Sequence, residues 1–285
     1  MAIHLTDAIQ LTKKGWTNGK SKNWTERGDK VRTKRRGIIQ ASRVKSLTKA
    51  GDDLINGTAE NISGLSIGGD LQTQAGNDSV IGTSSTQSGL YNEGLIGTGQ
   101  GNDTIKGVSI DSRGLENQGD IYTQDGADLI IGSSELQEGI SNSGTIIMAG
   151  GDDSLSGSGL LAGLRNDGYI SMGMGSDRVD VLKGGFSGNG YLDLGPSFDT
   201  VIGFGEQRLD GGGDRDALLL AEGRYTIADY TDPWGNTYGK AISDLSGTTM
   251  VANNMETIGS ALSGEQVALA NGTLLINAMG EVSYL

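Results

Sequence analysis

The chain has no cysteine, two prolines and a single histidine, His4. Without cysteine there is no disulfide framework, no thiolate metal site and no cysteine nucleophile. One histidine in the leading segment argues against a histidine-based triad or a multi-histidine metal centre. Aromatic residues are also few, with 3 Phe, 3 Trp and 8 Tyr in 285 residues, so a bulky globular core is not expected. No stretch approaches the roughly 18 consecutive apolar residues of a spanning helix. The opening MAIHLTDAIQLTKKG lacks the charged, apolar and small-residue regions of a secretory signal. The expectation is a chain with no transmembrane segment that stays inside the cell or leaves it by a route needing no N-terminal signal.

Glycine is plentiful, with 49 residues, and has no every-third period that would indicate collagen. Its placement follows a repeat. AGDDLINGTAENISGLSIGGDLQTQ begins at Ala50, and units of the same length begin at Ala75, Gln100 and Asp125. The units from Gly150 and Met174 are slightly shorter, and drifting ones follow from Pro196 and Gly213. The pattern is G-x-D-x-(apolar)-x-G, a polar stretch, then G-(Leu/Ile)-x-N-x-G-x-(apolar). Three apolar columns fall in register, such as Ile55–Val80–Ile105, Leu65–Leu90–Leu115 and Leu71–Ile96–Ile121. Each lies in a run too short for a helix and bounded by glycine, which reads as brief strands and turns. A 25-residue unit cannot bury its own core, but stacked units can. The fold class expected is all-β: a single-stranded parallel β-solenoid with about 25 residues per coil, most simply a three-sided right-handed β-helix. The repeated Asn92, Asn117, Asn142 and Asn166 are expected to bond from coil to coil as a ladder.

Charge divides the chain into three parts. Residues 1–49 carry 13 basic and 3 acidic side chains, a balance of +10. Residues 50–216, the repeats, balance at −18, and residues 217–285 at −5. The first part reads as a basic arm or atypical first coil over Gly28–Lys49, with a short helix from Thr6 to Gly15. The last reads as a small β-rich cap with strands at Ala217–Leu220, Tyr225–Ala228 and Thr273–Ile276. Trp234, in the turn Asp232-Pro233-Trp234-Gly235, is expected to pack against it. Nucleic acid is a poor partner for the basic arm, because the acidic body would repel the same phosphates. An acidic neighbour in this or another copy, or an anionic cell-surface polysaccharide, suits it better.

Asp53, Asp78, Asp103, Asp128, Asp153 and Asp177, followed by Asp199, recur at one place in the unit. At a coil spacing of about 4.8 Å, neighbouring charges repel by roughly 0.9 kcal/mol even in bulk water. Two readings stand. The carboxylates are calcium ligands beside glycine-rich turns, since Ca²⁺ takes oxygen ligands, or each only hydrogen-bonds its own turn.

The run Thr98-Gly99-Gln100-Gly101-Asn102-Asp103-Thr104-Ile105-Lys106 resembles the nonapeptide of hemolysin-type (RTX-like) calcium-binding repeat proteins. Gly76–Val80, Gly126–Ile130 and Gly151–Leu155 match its second half. The resemblance covers about residues 50–216. It implies Ca²⁺ as cofactor on the six aspartates from Asp53 to Asp177, and a secreted, extracellular or cell-surface location. It also implies type I export through an uncleaved C-terminal signal, which Glu281-Val282-Ser283-Tyr284-Leu285 resembles. That family's nonapeptides run in tandem around an 18-residue coil; here one occurs per 25 residues, so at most one edge carries a site. The function expected is a non-enzymatic structural or adhesive protein that self-associates head to tail into a filament or surface layer. The alternatives are a phage tail fibre or spike shaft and a polysaccharide-cleaving β-helix enzyme. An active site needs singular residues, whereas here the acids are periodic.

Overall fold

A computed structural model describes residues 50–285 in full. Of the first 49 it describes the backbones of the strands Ala2–Leu5, Ile9–Thr12, Gly15–Trp16, Lys30–Thr33, Ile38–Gln40 and Lys45–Leu47. The described chain is all β, and its repeats stack as parallel coils around one axis.

Each unit supplies one strand to each of three sheets. Face A takes Leu54–Ala59, Ser79–Ser84, Thr104–Ser109, Leu129–Ser134 and Ser154–Ser158. Face B takes Leu65–Ile67, Leu90–Asn92, Leu115–Asn117, Glu138–Asn142 and Ala162–Asn166. Face C takes Asp70–Gln72, Leu95–Gly97, Asp120–Tyr122, Thr145–Ile147 and Tyr169–Ser171. Pairing is in register from coil to coil, so Ile55, Val80, Ile105, Ile130 and Leu155 stack as the sequence spacing requires. Side chains alternate in and out along a strand. The three apolar columns therefore point inward together and form one continuous core, with Leu65, Val80, Ile105 and Ile121 fully buried.

The glycines let the turns close. Gly101 has a φ of +124°, and a Cβ there would run into the carbonyl oxygen of Gly76 in the coil before. At Gly107 a Cβ would strike the Gly114 carbonyl across the corner between faces A and B. At these two places the repeat needs glycine for want of space.

Parallel pairing extends beyond the regular repeats in both directions. Lys30–Thr33 pairs with face A, Ile38–Gln40 with face B and Lys45–Leu47 with face C. Ala2–Leu5 and Ile9–Thr12 add a further layer. The helix expected from Thr6 to Gly15 is thus replaced over Ile9–Thr12 by a strand, consistent with Ile9 and Leu11 alternating with polar neighbours. At the other end the pairing crosses the boundary placed at residue 216. Ala217–Leu220 continues face A, and after an excursion Thr249–Asn253 and Thr257–Ser260 rejoin faces C and A. The excursion is a hairpin of Gly223–Thr231 and Thr237–Ser243, flanked by Gly272–Ile276 and Val282–Tyr284, all antiparallel. Trp234 does not pack on this cap. It is 84% exposed at the hairpin tip, where Asp232 Oδ1 accepts the N–H groups of Trp234 and Asn236 and fixes the turn.

Candidate functional site: an inward ladder of carboxyl groups

The structure brings all six predicted aspartates, and Asp199, into one column, as the period demands. It places them inside the coil: Asp53, Asp78, Asp103, Asp128, Asp153, Asp177 and Asp199 are each 3% exposed or less. From Asp78 onward, each Oδ1 accepts the backbone N–H of its counterpart one coil earlier. Asp53 N donates to Asp78 Oδ1 at 2.7 Å, and Asp78 N to Asp103 Oδ1 at 2.7 Å. The chain of bonds continues through Asp128, Asp153 and Asp177 to Asp199.

Two further members were not anticipated from the sequence. Asp199 N donates to Asp216 Oδ1 at 2.8 Å, and Asp216 N to Glu256 Oε2 at 2.7 Å. The ladder therefore runs into the cap and ends on the longer side chain of Glu256. The signal was the triplet acid-x-apolar, present as Asp216-Ala217-Leu218 and Glu256-Thr257-Ile258. Spacings of 17 and 40 residues hid it.

An outer ladder runs beside it in the opposite sense. Asp52 Oδ1 accepts from Asn77 N, Asn77 Oδ1 from Asn102 N, Asn102 Oδ1 from Ala127 N, and Asp152 Oδ1 from Ser176 N, all on exposed turns. The expected asparagine ladder is present at the corner of faces B and C. Asn92 Nδ2 donates to Asn117 Oδ1 and Asn117 Nδ2 to Asn142 Oδ1, both at 2.8 Å, and Asn142 Nδ2 to Asn166 Oδ1 at 2.9 Å. At the start of a face B strand, the buried Glu138 lies between Arg113 at 3.3 Å and Arg165 at 3.9 Å, from the coils on either side. The two arginines are far apart in sequence, and only the coil spacing brings them together.

Burial is the main influence on the carboxyl ladder. Taking a carboxylate out of water disfavours its charge. This pushes Asp103, Asp199 and Asp216 up to about 7, Asp153 to about 8 and Asp177 to about 6. Asp78 and Asp128 are raised by the same cause. The N–H bonds to Oδ1 pull the other way, and neighbouring acids of the column or turn add to the rise. The second oxygens of Asp78, Asp103, Asp128 and Asp153 are buried with no hydrogen-bond donor reaching them. Thr73, Thr98 and Thr123 lie beside Asp78, Asp103 and Asp128, yet their hydroxyls donate to carbonyls of the following coil. A hydroxyl has one proton to give.

Calcium and the ladder make different demands on these carboxyls. The ion requires 6–8 converging oxygens, whereas one oxygen of each ladder carboxyl is aimed at by a backbone N–H, whose positive end repels a cation. Among the described residues no three acidic or histidine side chains converge as a metal cluster. The ladder's chemistry is acceptance of backbone N–H groups from coil to coil.

These features define a three-faced parallel β-solenoid braced from within by polar ladders. No family model, curated protein or solved structure matches the chain.

Proposed function

We propose that the chain is a non-enzymatic structural and adhesive rod that acts outside the cell and assembles head to tail. The observation carrying this reading is the direction of the repeated polar groups. The aspartate and asparagine columns are spent on holding one coil to the next, so the periodic part of the sequence serves mechanical continuity. What varies between coils is the outer surface, where contacts with partners are made. An extracellular setting rests on the nonapeptide resemblance.

Charge supports end-to-end contact. The strands of the +10 segment lie at one end of faces A and C, and the −5 cap at the other. The cap also exposes Leu245, Leu262 and Met279 on its turns, each at least 72% accessible. Loops 261–264 and 277–280, which carry Leu262 and Met279, are tied together by Ser263 Oγ donating to Gly280 O at 2.6 Å. A head-to-tail interface does not close, and it therefore builds filaments.

Sedimentation velocity and melting of the full chain, with EDTA and then with millimolar calcium, test the reading. The expected result is an elongated particle that grows with concentration at low salt and dissociates at high salt, with a melting temperature indifferent to calcium. A salt-insensitive monomer would refute the assembly. A large rise in melting temperature with calcium would return the aspartates to the role of metal ligands.

A further inference from the structure

The outward side of face C carries a column in which Gln72, Gly97, Tyr122 and Ile147 hold one register position in successive coils. Gly97 interrupts it. Unlike Gly101 or Gly107, it is not demanded by space. A Cβ there would touch only Gln72 Cγ, at 3.6 Å, an ordinary contact, and the positions above and below carry side chains. Glycine here leaves a gap instead of closing a turn. The gap opens as a cavity of about 350 Å³, floored by Leu95 and Gly97 and walled by Gln72, Tyr122, Gln124 and Ile147. That volume lies within the range of small-ligand sites.

No charged side chain lines the slot, although the repeats as a whole balance at −18. The polar groups around it are also uncommitted. Tyr91, Tyr169 and Tyr191 each donate their hydroxyl to a carboxylate. The side chains of Gln72, Tyr122 and Gln124 make no hydrogen bond to a described residue. An aromatic ring, apolar walls and two amides that both donate and accept suit a ligand with a C–H face and a rim of hydroxyls. We propose that this slot binds a neutral pyranose unit of a glycan chain. An acidic sugar would bring its charge to an acidic body with no cation in the slot to receive it. Further along the same face the rings of Tyr169 and Tyr191 stack at 6.2 Å, so a glycan lying along the axis leaves the slot toward a second aromatic contact. The inference supplies the ligand class for the adhesive part of the reading above and rests on it.

The test is calorimetric titration of the full-length chain with cellohexaose, maltohexaose and xylohexaose, and with an oligogalacturonate of the same length. At least one neutral oligomer binds saturably and the acidic one does not. Gly97→Gln, which fills the slot where a Cβ has room, and Tyr122→Ala each weaken binding about tenfold or more. Circular dichroism and melting of Gly97→Gln remain those of the parent, which separates a blocked slot from a misfolded chain. The proposal fails if none of the neutral oligomers binds, if Gly97→Gln binds unchanged, or if the acidic oligomer binds equally well. Any of these leaves the rod's sedimentation and its indifference to calcium intact, so failure of the slot is distinct from failure of the structural reading.

Discussion

Raising the pH from about 4 to about 8 lowers the melting temperature of the chain by roughly 10 °C or more. The sign follows from the ladder. An aspartate unfolds to an ordinary carboxyl near 3.9, while burial holds the folded Asp103, Asp153, Asp199 and Asp216 near 7 to 8. Between these limits the folded state binds more protons than the unfolded state, so stability falls as pH rises. The contribution is fully present below about 4, is lost progressively up to about 8, and is flat above. Neighbouring carboxyls of the column interact, so it releases its protons over a broad span of pH instead of in one sharp step. Asp167 and Asp210 act in the opposite direction. Their carboxylates are held low by bonds from Arg165 and from Tyr191, Asn253 and Asn254, respectively, so strong acid costs stability. The maximum is therefore expected in mild acid.

Relief of surface repulsion would give a slope of the same sign, and Asp103→Asn separates the two. The amide keeps an oxygen for Asp78 N–H and carries its own protons at every pH. The variant is expected to melt above the parent at pH 8 and to show a shallower slope. A slope unchanged by Asp103→Asn would assign the effect to the surface.

Asn117→Leu is expected to cost about 3–5 kcal/mol, a large loss for a single polar side chain. Asn117 is completely buried. Its oxygen accepts from Asn92, and its amide donates to Asn142 Oδ1, Gly119 O and Thr145 O. Leucine fills similar space but leaves Asn142 Oδ1 and the two carbonyls short of a donor inside the coil. Water cannot reach them there. Gln118→Ala, at the next residue on the exposed turn, is expected to change stability by less than about 0.5 kcal/mol. Chemical denaturation of the two variants checks both values, and comparable losses would mean that the ladder carries no special weight.

Much of this architecture was readable in the repeat. A fixed interval of 25 residues obliges identical positions to stack, so the apolar columns, the asparagine ladder and the alignment of the aspartates followed from spacing. The direction of the aspartates did not, because a turn motif suggests an exposed ligand set. The alternation of a strand held the missing information. Asp103 stands two residues before the inward Ile105, and residues two apart share a side. The ladder's end on Glu256 was hidden by the cap hairpin inserted after Leu220, which breaks the interval without breaking the stack. The slot at Gly97 was also illegible. In the sequence that glycine resembles those that backbone contacts require, and only the free space around its Cα separates them.

The most direct test of the inward ladder is a carbon-13 NMR titration of the aspartate carboxyl groups in the full-length chain. The expected result is a set of inward carboxyls, among them Asp103, Asp153, Asp199 and Asp216, that remain protonated well above pH 5 and release their protons between about 6 and 8. Titration of every aspartate near the ordinary value of about 4 would contradict it, for it would mean that these groups face water or a cation instead of the interior of the coil.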